Sequence, residues 1–401
     1  MSTFIKIQGS EITSGQPVEW NIYDKDGVLL LRKGFMITSQ TQINLVVSRG
    51  YYQEPVVESP QPDGVVALPP LDTDEEYAQP FVLKDWSKKD AAHYAVLSME
   101  DAMDTLEPIL QDIARMYPAP DLQGELMGLA DALHKAVRLH LDICLASVFL
   151  SRGDTKNYRV RHAVDTAIIT IIIALHLGFS RHEIARTTAA AFTMNIGMWF
   201  QQNRLAKRVE PLDEELTQVI FDHPLNSVIL LRKAGITDPL WLEDVLTHHE
   251  KIDGSGYPLG MVGSDIPTGS QIIGLADRYT AMLAPRGNRD ALLPSQALRI
   301  LLFAEGDTIE ARLSGILTKI VGIYPPGTFV RLRNKDIAVV MSVGRDGATP
   351  AVKSVLGANR KLLGVPVLRD SADEKYAITG TVNLQQDEIP FSVRKIWQID
   401  E

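Results

Sequence analysis

The spacing of apolar residues changes character several times along this 401-residue chain, and each change predicts a different kind of structure. Between Val18 and Arg32 the apolar positions fall in short β-like runs on either side of Asp24-Lys25-Asp26-Gly27. That turn signal predicts a hairpin, with a short helix following near Ser39 to Ser48. From Pro55 to Pro80 the pattern dissolves into prolines and acids (Glu58, Asp63, Asp72, Asp74, Glu75, Glu76) with no Lys or Arg, which predicts an extended, solvated linker. Helical spacing then sets in. Ser87 and Asp90 are placed to cap a helix carrying Tyr94, Leu97, Met99, Met103, Leu106, Ile109, Leu110 and Ile113, and similar patterning runs from Leu122 to Phe149. The apolar stretch Ala163 to Leu177 is interrupted by Asp165, Thr166, Thr170 and His176, so it predicts a buried helix and not a membrane span. After Pro325-Pro326-Gly327 the texture becomes alternating or β-branched, in Phe329-Val330-Arg331-Leu332, Ile337 to Met341 and Tyr376 to Thr379. The expected fold is mainly α: a small N-terminal α+β module (1–56), a linker (57–84), a helical region (85–322) and a C-terminal β module (323–401).

Composition narrows the function. A chain that is 45% hydrophobic and 22% charged is that of a globular protein with a sizeable core. Its one cysteine, Cys144, lies inside an apolar pattern and has no intrachain partner for a disulfide, so it reads as core. A net charge of −10 gives no electrostatic footprint for wrapping DNA or RNA, and any anionic ligand must be gripped by local groups. The start, Met-Ser-Thr-Phe-Ile-Lys, has no secretory signal pattern, and the expected location is the cytoplasm.

The candidate chemistry is concentrated in His248-His249-Glu250-Lys251-Ile252-Asp253-Gly254-Ser255-Gly256-Tyr257-Pro258. Adjacent helical residues project about 100° apart, so His248 and His249 share one cation only if it sits over a helix end, and the glycine turn supplies such an end. His162, His223 and Asp277 are further donors on separate predicted helices, and imidazole with carboxylate is the ligand set of zinc, iron and manganese. Each of these residues alone has a bland reading. A single His is more often a polar residue on a helix, a Gly-rich turn often only ends a helix, and Arg286, Arg289 and Lys251 can simply face water. His176, among Ile171 to Leu177, reads as a core or groove histidine.

Taken together, the string His-His-Glu-x-x-Asp-Gly-x-Gly-Tyr-Pro, with a His-Pro upstream, resembles the HD-GYP family of the HD superfamily of metal-dependent phosphohydrolases, over roughly residues 155–320. The resemblance implies an HD-superfamily helical bundle and a function in bacterial cyclic di-GMP signalling. By order and spacing it assigns His162, His223, His248, His249 and Asp277 to a metal site. It assigns Asp253, Gly254, Gly256, Tyr257, Pro258 and Arg286 to ligand binding. It also exposes departures. The family's defining His-Asp stands in a Leu-His-Asp-Ile-Gly-Lys string, and the aligned stretch here is Thr193-Met194-Asn195-Ile196-Gly197-Met198. Met194 replaces an imidazole, Asn195 an anionic bridge and Met198 a lysine, while Tyr158 stands where some members carry a further Glu ligand. Two divalent cations repel strongly without an anionic ligand between them, so a dinuclear centre is not expected. The expected cofactor is at most one divalent transition metal (Fe, Mn or Zn). The expected function is an effector, non-catalytic or weakly catalytic, that binds cyclic di-GMP or a related nucleotide or a signalling protein; the alternative is a phosphodiesterase with a mononuclear or rearranged site. Met194 and Met198, four apart, are expected to share one helix face as ordinary packing. The N-terminal module resembles a small domain found ahead of such cores and is expected to regulate or dock.

Overall fold

The computed structural model describes residues 86–399 except 118–119, 151–156, 286, 288–289, 305–308, 343–348 and 385–392, together with short segments of residues 5–53. In the N-terminal part the described strands are β1 (Ile5–Lys6), β2 (Gln16–Pro17), β3 (Ile22–Tyr23), β4 (Leu29–Leu31), β5 (Met36–Ile37) and β6 (Tyr52–Gln53). They form a four-stranded sheet in the order β1-β6-β3-β4 and a β2-β5 pair. The β3-β4 pairing, Ile22 opposite Leu31, is the hairpin that Asp24 to Gly27 predicts. The helix expected near 39–48 and the linker over 57–84 lie almost wholly outside the described residues.

Polar side chains open the central helices. Ser87 accepts from the Asp90 amide at 3.1 Å and starts α1 (Lys88–Ala114). The patterning over 122–149 resolves into two helices, α2 (Leu122–Leu139) and α3 (Leu141–Leu150), with His140 as the break. Then come α4 (Tyr158–Leu177), closed by Gly178 at φ 80°, and α5 (Arg181–Thr193), opened by a reciprocal Ser180/Glu183 capping box. They are followed by α6 (Trp199–Lys207), α7 (Glu214–Lys233) capped by Asp213, and α8 (Pro239–Thr247) capped by Asp238 with Pro239 in its first turn. The described helices of this region end with α9 (Thr268–Leu283), α10 (Pro294–Ala304) and α11 (Ala311–Val321).

Helix α4 is the axis of the bundle. Val160, Ala167, Ile168, Ile169, Ile171 and Ile173 are fully buried, and α5, α9, α1, α2 and α3 pack around it. It is long and apolar enough to cross a membrane by composition, but 72% of its apolar window is buried inside the protein, as for a core helix. Cys144 is buried with no disulfide, and burial pushes its thiol pKa up, which suits the core role expected of it.

Beyond Gly322, β7 (Phe329–Leu332), β8 (Ile337–Val340), β9 (Ala351–Leu356), β10 (Leu362–Asp370) and β11 (Ile378–Thr381) form an antiparallel sheet in the order β10-β9-β8-β7-β11. β7 (Phe329–Leu332) and β8 (Ile337–Val340) are the strands read from the sequence. The expected strand from Tyr376 is displaced: a short 3-10 turn occupies Glu374–Tyr376, and β11 begins at Ile378 and ends at Thr381. Asp373 caps that turn through the Lys375 amide, so the polar Asp-Glu-Lys run competes with the strand pattern. Sequence patterning also missed β9 (Ala351–Leu356) and β10 (Leu362–Asp370). In β10, Gly364 and Pro366 interrupt the apolar run and the register slips between Leu362 and Val367, which is tolerated because β10 is an edge strand. A last helix, α12 (Val393–Trp397), buries Ile396 against this sheet.

Candidate metal and ligand site

Helices α4, α7, α8 and α9 bring His162, His223, His249 and Asp277 to the wall of one cavity and set His248 against His223. His223 lies inside α7, and Pro224 follows it. Proline has no N–H, so it leaves the carbonyl four residues back, Ile220 O, without its helical donor. His223 Nδ1 donates to that carbonyl at 2.6 Å. His248 is the residue that ends α8, where the last carbonyls of a helix also lack donors, and its Nδ1 donates to Val245 O at 2.7 Å. In both rings the proton is thereby held on Nδ1 and the Nε2 lone pair is left free. The two Nε2 atoms face each other at 3.3 Å. Two lone pairs at that distance repel, and a shared cation between them relieves the repulsion. His249 completes the group: one ligand atom from each of His223, His248 and His249 lies within 4.8 Å of the others.

Electrostatics keep these rings in the ligand form. Burial pushes the His223 pKa down to about 3. Burial likewise lowers His248 and His249, so all three are neutral imidazoles at neutral pH. A backbone carbonyl holding the far nitrogen of a ring is the usual support of a metal-ligating histidine. The donor set therefore fits one divalent cation.

His162 and Asp277 stand apart from this triad as a pair. His162 Nε2 donates to Asp277 Oδ1 at 2.7 Å, and the ring stacks on Tyr158 at 5.4 Å. Burial alone would raise the Asp277 pKa. The hydrogen bond from His162 outweighs it and holds this carboxylate well below its usual range. Asp277 is an anion beside three neutral rings.

The turn after His249 is built by residues the sequence did not single out for that task. The buried carboxylate of Glu250 accepts from the amides of Leu259, Gly260 and Met261 at 2.6, 3.1 and 2.9 Å. Gly254 has φ 80°, and a Cβ on Gly256 would stand 2.4 Å from Lys251 N and 2.5 Å from Glu250 Cα, so the chain doubles back on itself only with glycine there. Among Asp253, Gly254, Gly256, Tyr257 and Pro258, only Tyr257 reaches the cavity wall. Asp253 is spent on Ser255, accepting from its amide and hydroxyl. Tyr257 is sandwiched between His249, at 4.6 Å, and Phe221, at 5.1 Å, so the Tyr-Pro end of the motif braces the third imidazole. Arg286 lies outside the described residues.

The cavity holds about 360 Å³. Its walls include Tyr158, His162, Asn195, Met198, Gln202, His223, His249, Tyr257 and Asp277, together with Arg208 and Glu210 to Leu212. Gln202, four residues after Met198 on α6, and the strap from Arg208 to Leu212 escaped sequence reading because neither belongs to a motif. The Arg208 guanidinium donates to the carbonyls of Glu210 and Pro211 and pairs with Asp213 at 3.1 Å, so it shapes its own loop. The two methionines do not share a face. Helix α5 stops at Thr193 and a 3-10 turn covers Ile196–Met198, which sends Met194 into the core at 1% exposure and leaves Met198 on the cavity wall. Ser227 ties this turn to α7 by donating to Met194 O at 2.7 Å and accepting from Gly197 N at 2.8 Å.

Residues 152–313 match the family described as HD domain. The chain is 27% identical over 261 residues to a cyclic di-GMP phosphodiesterase of Pseudomonas aeruginosa, a match covering 65% of this chain and 61% of that one. It is 25% identical over 187 residues to a cyclic di-GMP phosphodiesterase of Borreliella burgdorferi, covering 47% of this chain and 49% of the other. To a 3′3′-cGAMP-specific phosphodiesterase of Vibrio cholerae it is 28% identical over 214 residues, with coverages of 52% and 45%. The chain thus spans about half the length of these curated relatives.

Proposed function

We propose, from a chain whose residues 152–313 match the HD domain family and resemble cyclic dinucleotide phosphodiesterases, that this protein is a cyclic di-GMP effector with a degenerate HD-GYP site and little or no hydrolytic activity. One observation carries the reading: at the place where a metal-bridging carboxylate is expected, Asn195 offers a neutral amide and Met194 is buried in the core. The cavity has one carboxylate among the candidate ligands, Asp277, and it is engaged by His162. Phosphodiester hydrolysis requires neutralised phosphate oxygens together with a positioned hydroxide, and the substitutions at 194, 195 and 198 remove three suppliers of those functions. Binding needs less. A 360 Å³ space lined by Tyr158, Tyr257 and His249 rings offers stacking surface, and neutral donors on its wall suit phosphate oxygens.

The convergent His223, His248 and His249 favour a second reading, a phosphodiesterase with one divalent iron, manganese or zinc ion. Such an ion, when bound, supplies Lewis-acid charge and a more acidic water. The two readings part on one sample: metal-analysed protein titrated with cyclic di-GMP and followed for linear product. The effector reading expects saturable binding with turnover absent or orders of magnitude below an HD-GYP phosphodiesterase run in parallel. Metal-dependent turnover at a comparable rate, abolished in His249→Ala, would establish the enzyme instead.

A further inference from the structure

Behind Asn195 lies a second, much smaller pocket of about 10 Å³, and three of the residues that line it carry buried polar atoms without partners. Asn195 Oδ1, Trp199 Nε1 and Arg159 Nε are all buried and have no hydrogen-bond partner among the described residues, and all three residues line this pocket. Trp199 is only 2% exposed, so its N–H has no route to bulk solvent. Arg159 is fixed above the Trp199 ring at 3.9 Å and pairs with Glu107 at 3.5 Å. Leaving a buried donor or acceptor unpaired is costly, and a space the size of one water beside polar groups is what an internal water requires. One water balances the set: it accepts from Trp199 Nε1–H and Arg159 Nε–H and donates to Asn195 Oδ1.

That arrangement fixes the direction of the Asn195 amide. With its buried oxygen on that water, and since the oxygen and nitrogen of a planar carboxamide diverge from Cγ, the NH2 group is the end that meets the main cavity, whose wall Asn195 shares with His223 and His249. We propose that Asn195, braced by a buried water on Trp199 and Arg159, is a hydrogen-bond donor to a phosphate oxygen of the bound ligand and takes no part in holding a metal. The position has exchanged a cation-binding oxygen for an anion-binding N–H. This inference rests on the phosphodiester-binding reading above for its ligand, but the orientation of the amide stands independently of which phosphate compound binds.

The test uses the full chain, stripped of metal and labelled with 15N-asparagine, with the side-chain NH2 signal of Asn195 identified by its loss in Asn195→Leu. Two probes are titrated, inorganic pyrophosphate and cyclic di-GMP, with calorimetry alongside. Both are expected to shift the Asn195 NH2 protons, and Asn195→Asp is expected to weaken both about tenfold or more, because a charged hydrogen bond is replaced by like-charge repulsion. Added Mn2+ should not reverse that loss. If cyclic di-GMP binds while the Asn195 signal stays still, the donor role falls and the nucleotide reading survives. If pyrophosphate moves the signal and cyclic di-GMP does not bind, the nucleotide reading falls and the donor role survives. A signal unmoved by either probe, or an Asn195→Asp chain that binds more tightly with Mn2+ than the parent does, overturns the proposal.

Discussion

The most consequential single residue in the site touches no ligand. Pro224 withholds one backbone N–H, Ile220 O is left without its helical donor, and His223 is locked with its lone pair outward. Replacing Pro224 with Ala restores an amide that competes for the same carbonyl. Divalent-metal affinity measured by calorimetry is then expected to fall about 10- to 100-fold, the usual range for losing such support. Thermal stability should not fall with it, since a proline inside a helix costs about 3 kcal/mol. Unchanged affinity would show that the His223 tautomer is held by something else. At this scale the sequence was partly legible. His-Pro and His-His mark the residues, and the fold brings His162, His223, His249 and Asp277 to one cavity with His248 against His223. What spacing did not convey is that they divide into a triad and a hydrogen-bonded pair, because that depends on ring orientation across helices 115 residues apart in the case of His162 and Asp277.

Among elements, the decisive one is the turn after α8. Its motif predicts a ligand-binding surface, and within it Glu250 and Gly256 work inward, closing the chain so that Tyr257 lies flat on His249. No local pattern reveals this, because Glu250 acts on amides nine to eleven residues ahead. Glu250→Ala removes the acceptor of three amides at once. The expected result is destabilisation of about 1–3 kcal/mol in urea unfolding and, in the folded protein, loss of the Tyr257–His249 stack, read as weaker metal binding. Unfolding and metal affinity both unchanged would mean that the turn is held by its glycines alone. The break after α5 teaches a similar lesson. Helical periodicity predicted Met194 and Met198 on one face, but Ser227, on a different helix, holds the backbone of Met194 and Gly197 in a tighter turn. A Cβ on Gly197 would stand 2.3 Å from His223 O, so glycine is what lets that turn approach α7.

Across the whole molecule the hydrophobic pattern was the most legible signal. The buried α4, the Ser87 cap, the β3-β4 hairpin and the first strands of the C-terminal sheet all follow from period and punctuation. The edge strand β10 did not, since Gly364 and Pro366 obscure it. The fold's role in the site is to set α4, α7, α8 and α9 around one cavity, with three neutral imidazoles at one position and an amide where an anionic bridge is expected. The central claim, that this cavity accommodates no more than one cation, is tested most directly by metal stoichiometry. Protein loaded with excess Fe2+, Mn2+ or Zn2+ without chelator, freed of unbound ion and analysed by mass spectrometry of the elements, should carry at most one equivalent per chain, lost in His248→Ala. Two equivalents at full occupancy, both lost on substituting the triad, would contradict it.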